Sequence, residues 1–192
     1  MPAEPPGLRQ QAAQAPHRCR HGPQHRRSRF PPCRSSVDVR SVAVSDTIGT
    51  ATFQEDVKFS GFSRLSAEAS TDHCISYSVE TRRLDDLLNG REVDLIKIDV
   101  EGLELSVLRG ATETIRKYRP HVIFECGSEY AIRDQGVSRR ELFDYLTKEL
   151  NYSICTLADF LFDKGAMEFD EFRRCGLYPF VAFNFIAIPA AV

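Results

Sequence analysis

The stretch Val93-Asp-Leu-Ile-Lys-Ile-Asp-Val-Glu-Gly102 joins a run of aliphatic residues to two acids and a glycine. Its first eight residues have the density of aliphatic and β-branched side chains that is typical of a strand buried on both faces of a parallel sheet. Beyond Gly102, apolar residues recur at three- and four-residue spacing until Pro120, which predicts one amphipathic helix that the proline ends. Residues 121–125 then indicate another buried strand, so this region predicts a strand–helix–strand unit.

The segment upstream of this unit is rich in strand signals. Residues 37–44 indicate a strand, and residues 48–53 begin a β-hairpin excursion with a loop near residues 60–63. Residues 84–88, followed by Asn89-Gly90, predict a short helix closed by a left-handed cap.

The segment downstream continues the alternation of helices and strands. Ser138 with Glu141 three residues later has the pattern of a capping box at the start of a helix. Two last strands are expected at residues 152–157 and 181–188. The whole order predicts a doubly wound α/β layer with helices on both faces.

The first 36 residues, called here the leader, differ in composition from the rest of the chain. The leader carries seven arginines and one acid, for a net charge of +6, whereas residues 37–192 carry −8. It also holds seven of the ten prolines and too little apolar surface to offset the entropy of ordering. We expect residues 1–36 to be disordered and of foreign origin, and residues 37–192 to form the folded domain.

The cysteines and the hydropathy pattern indicate in which cellular compartment the protein occurs. Six cysteines stand far apart without a C-x-x-C pair, which favours neither a zinc site nor a disulfide scaffold. No stretch reaches the roughly 18 apolar residues of a membrane span. These features predict a cytoplasmic protein without a membrane association.

Several sequence blocks resemble a known family. The run from Val93 to Gly110, continued by residues 119–125, is similar to the signature of FkbM-family class I S-adenosylmethionine-dependent methyltransferases. Residues 42–46, with Gly49 shortly after, and residues 84–87 resemble two further blocks of that family in the expected order. The resemblance covers about residues 37–188.

The resemblance implies a Rossmann-like class I methyltransferase sheet and S-adenosylmethionine as the cofactor. Residues 37–44, 93–99 and 121–125 would be its third, fourth and fifth strands, and the last two predicted strands its antiparallel pair. The first two strands are not recognisable, and neither is the glycine-rich loop that would bind the donor, since the leader offers only Gly7 and Gly22. We therefore expect a truncated domain that binds the donor weakly, and its activity is left open.

Three acids are the candidate catalytic residues. Asp99, Glu101 and Glu125 follow or end predicted strands, and ligands of open α/β sheets sit beyond the carboxyl ends of the strands. A carboxylate there is suited to accept the proton of an acceptor hydroxyl during methyl transfer. The alternative for Glu101 is that it only complements the positive end of the following helix. Two neighbouring acids are a weak signal for a metal, and none is predicted.

Four further polar residues have two possible interpretations each, one structural and one functional. Lys97 shares a strand face with Asp99 and either pairs with one of the carboxylates or contacts the substrate. Glu104 either belongs to the site or is a solvated acid in the first turn of its helix. Ser45 and Asp46 follow the first predicted strand, where the resemblance implies a contact with the adenine of the donor and the alternative is an ordinary turn.

Three functions remain open from the sequence. The first is an O-methyltransferase that acts on a hydroxyl of a small molecule or sugar, the acceptor class being implied by the resemblance alone. The second is a non-catalytic remnant of such an enzyme, suggested by the unrecognised donor loop. The third is nucleic-acid binding through the Arg-rich leader, which is less favoured because the leader has few aromatic residues and the remainder is acidic.

Overall fold

The computed structural model describes residues 37–58, 64–65, 73–127 and 136–190. Val39–Val192 form one compact unit, and the fold below is that of this unit. The leader, with its predicted disorder, and the predicted loop at residues 60–63 lie outside the described residues. Within the described ranges the strands form two four-stranded sheets, and helices follow them in a mixed α/β order.

The first sheet contains the predicted hairpin. Its strands are β1 (Ala43–Val44), β2 (Gly49–Asp56), β3 (Arg64–Leu65) and β4 (Cys74–Arg82), in the order β1-β4-β2-β3. β2 and β4 pair antiparallel along their length, which confirms the hairpin, and β1 lies parallel to β4. The strand predicted at residues 37–44 is shorter than expected, because β1 meets its neighbour only at Thr81 and Arg82.

The second sheet carries the strands of the opening stretch. It consists of β5 (Leu95–Ile98), β6 (His121–Glu125), β7 (Tyr152–Thr156) and β8 (Asn184–Pro189), in the order β5-β6-β8-β7. β5 and β6 are parallel, and β8 runs antiparallel to both of its neighbours. The Rossmann-like α/β class is thereby confirmed. The strands predicted at residues 37–44 and 93–99 lie in separate sheets.

The prediction that β5 is buried on both faces is wrong. Its residues alternate, with Ile96 and Ile98 buried and Leu95 and Lys97 exposed. β5 is an edge strand of its sheet, and in the described part of the chain its second face remains accessible. An edge strand of this kind shows the period of two that is typical of a half-buried sheet.

The helix predicted after Gly102 is interrupted. It consists of α2 (Glu104–Arg109) and α3 (Thr112–Tyr118). A second side chain accounts for the break, since the carboxylate of Asp85 accepts hydrogen bonds from the backbone N–H groups of Glu113 (3.1 Å) and Thr114 (2.9 Å). A side-chain cap at this point begins a new helix, a contact between distant residues that the local spacing does not reveal.

The remaining helices agree with the sequence pattern. α1 (Leu84–Leu88) ends at Asn89 in the left-handed conformation, as predicted. Ser138 and Glu141 form the predicted capping box of α4. α4 (Arg139–Asp144) continues as a π-helical turn, and two further helices flank the long connection before β8, namely α5 (Leu157–Leu161) and α6 (Phe169–Cys175).

The core lies on one face of the second sheet. Phe124, Phe172 and Phe185 are fully buried, and the ring of Phe172 is 4.8 Å from that of Phe185. The buried side chains of Ile98 and Phe124 pair in register on the neighbouring strands β5 and β6. Each of them directly precedes an acid, so the core fixes the two strand ends at which those acids stand.

Candidate functional site

Three carboxylates converge at one edge of the second sheet. Asp99 follows β5, Glu101 stands two residues later, and Glu125 ends the neighbouring parallel strand β6. One carboxylate oxygen of each lies within 4.8 Å of the others. The structure thus brings together the three candidate catalytic residues, and we call them the acid cluster.

The backbone of the acid cluster is strained at one position. Glu101 has a φ of 51°, in the left-handed region that side chains other than glycine seldom adopt, and Gly102 follows with a φ of 102°. A left-handed residue with a Cβ costs roughly 1–2 kcal/mol. Arg119, which ends α3, has the same conformation, so element ends of this fold adopt it outside the acid cluster as well.

The electrostatics of the acid cluster centre on Glu125. Partial burial raises the pKa of its carboxyl, and the nearby charges of Asp99 and Glu101 raise it further. A hydrogen bond with Asp99 acts in the same direction, whereas the positive charge of Lys97 opposes it. Glu125 therefore holds a proton more readily than an ordinary glutamate, which suits a group that accepts a proton near neutral pH.

Lys97 forms an ion pair with the acid cluster, which is the first of its two predicted interpretations. Its Nζ lies 2.6 Å from Oδ2 of Asp99, and both side chains are about half exposed. An exposed pair contributes roughly 0–1 kcal/mol to stability. The pair therefore matters for how Asp99 is oriented more than for how tightly the domain folds.

Glu104 is buried, so its reading as a solvated acid is wrong. Only 2% of the residue is exposed, and its Oε1 accepts a hydrogen bond of 3.0 Å from the backbone N–H of Gly102. Burial raises the pKa of Glu104, and the neighbouring charges of Glu101 and Glu125 add to this, while hydrogen bonds from backbone N–H groups oppose it. Glu104 lies behind the acid cluster and is electrically coupled to it.

Ser45 and Asp46 contact α2. The hydroxyl of Ser106 lies 3.1 Å from that of Ser45 and donates a hydrogen bond of 2.8 Å to Asp46. A Cβ added at Gly110 would lie 2.1 Å from the carbonyl oxygen of Ser45, so the chain after β1 packs closely on the end of α2. These groups join two parts of the fold, and their predicted contact with the donor stays a prediction.

A cleft of about 760 Å³ separates β1 from β5. Residues 40–44 line one side of it, and residues 96–101 line the other, with Asp99 and Glu101 among them. Apolar side chains such as Val44 and Val107 form much of the remaining wall. The volume is within the roughly 300–1,000 Å³ of sites that bind cofactors and small ligands.

Arg139 positions the chain that follows Glu125, and the sequence did not single it out. Its guanidinium is buried and donates hydrogen bonds to the carbonyl oxygens of Gly127 (2.6 Å), Cys126 (3.4 Å) and Phe172 (3.1 Å). The only sequence signal was the helix start beside it at Ser138, because an arginine in a first turn gives no indication of burial. Arg139 thus fixes the backbone directly beyond the acid cluster.

The two residues at the ends of β6 differ in exposure. His121 is exposed at its start, where the side chain lies on the accessible face of the sheet. Cys126, directly after its end, is buried, and burial raises the pKa of its thiol to about 12. The spacing of the acid cluster would also suit a hard divalent cation, although exposed acids often cluster without one. The expected absence of a metal stays a prediction.

The family model described as the methyltransferase FkbM domain matches residues 16–154 of this chain. The chain belongs to the FkbM methyltransferase family. The match begins upstream of residue 37, where the sequence blocks begin, and ends before β8. No curated protein and no solved structure matches the chain.

The matched range includes all three residues of the acid cluster and the residues that line the cleft. A methyltransferase of this family uses a methyl donor. Among the described residues, none of the helices has the length and apolar character of a membrane span.

Proposed function

We propose that this FkbM domain is an S-adenosylmethionine-dependent O-methyltransferase that acts on a hydroxyl of a small molecule or sugar. The observation that supports the proposal is the acid cluster at the carboxyl ends of two parallel strands, two members of which, Asp99 and Glu101, line a cleft of ligand size. Ligands of open α/β sheets occupy this position. Because the donor carries a positively charged sulfonium, a cleft wall with carboxylates matches its charge.

The donor, when bound, supplies an activated methyl group. In the proposed transfer the acceptor oxygen would bond to the methyl carbon, and the electron pair of the broken S–CH₃ bond would stay on the sulfur. The hydroxyl proton leaves the acceptor oxygen and passes to the carboxylate of Glu125. The raised pKa of Glu125 favours this transfer because a stronger base takes up the proton more readily.

Asp99 and Glu101 have supporting roles in this proposal. The ion pair with Lys97 holds the carboxylate of Asp99 next to Glu125, and the charges of Asp99 and Glu101 maintain the raised pKa of that base. Both residues also line the cleft, where they would attract the sulfonium. Their replacement should lower turnover more than the affinity for the donor, because the reacting centre depends on them.

The affinity for the donor is expected to be low. No glycine-rich loop that follows a strand is recognisable in the leader, and such a loop is what brings backbone N–H groups close to a cofactor. We expect a dissociation constant well above micromolar, which corresponds to a binding free energy weaker than roughly −8 kcal/mol. Titration calorimetry measures this value, and micromolar binding would contradict the expectation.

The test of the function is methyl transfer at millimolar donor. S-adenosylmethionine with a labelled methyl group is incubated with the purified chain and a panel of neutral hydroxyl compounds, and methyl ethers are identified by mass spectrometry. We expect Glu125→Gln to reduce the rate at least roughly 100-fold, as the loss of a general base does. Glu149→Gln, an exposed acid on the π-helical turn, is the matched control and should leave the rate unchanged.

Two outcomes would reject the proposal. Transfer by the Glu125→Gln variant at the rate of the unchanged chain would remove Glu125 from the reaction. Product methylated on nitrogen or carbon instead of oxygen, in a panel that contains such acceptors, would contradict O-methylation.

A further inference from the structure

The connection between α6 and β8 exposes an apolar run. Leu177, Tyr178, Phe180 and Val181 are 36%, 87%, 48% and 75% exposed, and only Pro179 interrupts them. We call residues 177–181 the aromatic segment. A contiguous exposed apolar patch of this kind is typical of a binding surface.

The aromatic segment leads directly to the strand end that carries Glu125. Asn184, the first residue of β8, is the register partner of Glu125, and the N–H of Cys126 donates a hydrogen bond of 2.8 Å to the carbonyl oxygen of Phe183. The ring of Phe183 lies 5.2 Å from that of Phe180, which in turn lies 6.0 Å from that of Tyr178. A series of rings therefore extends outward from the neighbour of the acid cluster.

One buried side chain fixes both chain segments at this point. Arg139 donates to the carbonyl oxygens of Cys126 and Gly127 after Glu125, and it also packs against Gly176 before the aromatic segment. A Cβ at Gly176 would lie only 2.4 Å from Nη1 of Arg139. The start of the aromatic segment is therefore held in a defined place relative to Glu125, which a specificity-determining surface needs.

The charge of the acid cluster opposes an anionic group on the acceptor at the strand end that carries Glu125. Asp99, Glu101 and Glu125 stand together, Glu104 lies behind them, and the nearby cation Lys97 is paired with Asp99. A carboxylate or phosphate on the acceptor would meet like charges at short range, which is unfavourable. A neutral hydroxyl compound with an apolar face would instead contact the rings of the aromatic segment and place its hydroxyl at the carboxylates.

From this arrangement we infer that the aromatic segment is the acceptor-binding wall and that the acceptor is a neutral hydroxyl compound with an apolar ring face. The inference rests on the proposed function, in which Glu125 receives the hydroxyl proton. Tyr178 and Phe180 are then specificity-determining residues, and they lie beyond residue 154, where the match to the family model ends.

The test is a binding titration without the donor. Three probes are titrated against the purified chain by saturation-transfer NMR at pH 7: benzyl alcohol, its anionic counterpart 4-(hydroxymethyl)benzoate, and glycerol, which has hydroxyls but no ring. We expect benzyl alcohol to bind, and both other probes to bind at least roughly fivefold more weakly. Tyr178→Ser and Phe180→Ser should each weaken benzyl alcohol binding about fivefold, the size expected for one lost aromatic contact.

Phe162→Ser is the matched control. Phe162 is 75% exposed and directly follows α5, whose Phe160 lies 6.3 Å from the ring of His121, at the opposite end of β6 from Glu125. Its replacement should leave the affinity for benzyl alcohol unchanged. An equal loss in all three variants would mean non-specific adsorption to exposed rings and would overturn the inference.

Three other results would overturn the inference. Two of them are the absence of benzyl alcohol binding and equal binding of the anionic probe. The third is a lower sedimentation coefficient for Tyr178→Ser than for the unchanged chain, because the aromatic segment would then join two copies of the chain. The titration contains no donor, so its outcome is separate from that of the transfer assay. Binding with no methyl transfer rejects the proposed function, whereas transfer with no effect of Tyr178 and Phe180 rejects only this inference.

Discussion

Asp85 and Glu125 are both carboxylates at the ends of regular elements, but their surroundings differ in kind. Asp85 is buried and accepts hydrogen bonds from two backbone N–H groups of α3, with Arg83 3.1 Å away as its ion-pair partner. Glu125 instead has Asp99 and Glu101 as its neighbours. The first arrangement pairs a carboxylate with donors and a cation, whereas the second raises the pKa of Glu125.

This difference separates a structural acid from the proposed functional one. Asp85 joins α1 to α3 and satisfies donors that the helix start would otherwise leave unpaired. The acid cluster brings like charges together around Glu125, although Lys97 pairs with Asp99, an arrangement that folding alone would not favour. Sequence pattern cannot distinguish the two cases, because both acids follow apolar residues near the end of an element.

The largest effect on folding is expected from a substitution in the buried part of β5 that precedes Asp99. Ile98 is 2% exposed and precedes Asp99, so Ile98→Asp buries a charge without a partner and should prevent folding. Leu95→Asp is the matched control on the same strand, where 55% of the side chain is exposed, and it should still fold. Circular dichroism and soluble yield compare them. A soluble Ile98→Asp variant with unchanged thermal unfolding would show that β5 is not buried on this face.

The next largest effect tests the structural acid. Asp85→Ala leaves the N–H groups of Glu113 and Thr114 without their acceptor and should lower the free energy of unfolding by about 2–4 kcal/mol. Asp86→Ala changes the exposed neighbour on the same helix and should have little effect. Urea unfolding of both variants measures the difference. If both substitutions lowered the free energy of unfolding equally, the hydrogen bonds of Asp85 would not be what connects α1 to α3.

A smaller effect is expected at the capping box of α4. Ser138→Ala removes the acceptor of the hydrogen bond from the N–H of Glu141 and should cost about 1 kcal/mol. The N–H and hydroxyl of Ser138 also lower the pKa of Glu141, so the stability from this contact is present above the ordinary glutamate range and is lost as the pH falls through the lowered value. Unfolding at pH 7 and pH 3 should show a smaller difference between variant and unchanged chain at the lower pH. A difference independent of pH would exclude the contact with ionised Glu141.

Much of the fold could be predicted because its signals are local. The aliphatic run of β5, the left-handed end of α1 and the capping box at Ser138 each depend on residues close in sequence. The meeting of Asp99, Glu101 and Glu125 was also expected, since the carboxyl ends of parallel strands share one edge of a sheet. A general rule about α/β sheets was sufficient for their placement.

The features that were missed depend on contacts between distant residues. The break between α2 and α3 is set by Asp85, about thirty residues away, and the burial of Arg139 depends on carbonyl groups of the chain after β6 and of α6. The burial of Glu104 likewise reflects the packing of α2 on the core. Such contacts leave no periodic signal in the local sequence, so pattern alone assigned these residues to ordinary helical positions.

The acid cluster is proposed to form the reacting site, and its like charges oppose folding when it is ionised. The free energy of unfolding of the Glu125→Gln variant, compared with that of the unchanged chain at pH 8 and at pH 4, measures this opposition. The pKa of Glu125 is raised in the folded protein, so the stability linked to its protonation is present below the ordinary glutamate value and is lost as the pH rises through the raised one. Gln resembles the protonated side chain. The variant should therefore be more stable than the unchanged chain at pH 8, with the difference nearly absent at pH 4, whereas a variant less stable at pH 8 would make Glu125 a structural acid like Asp85.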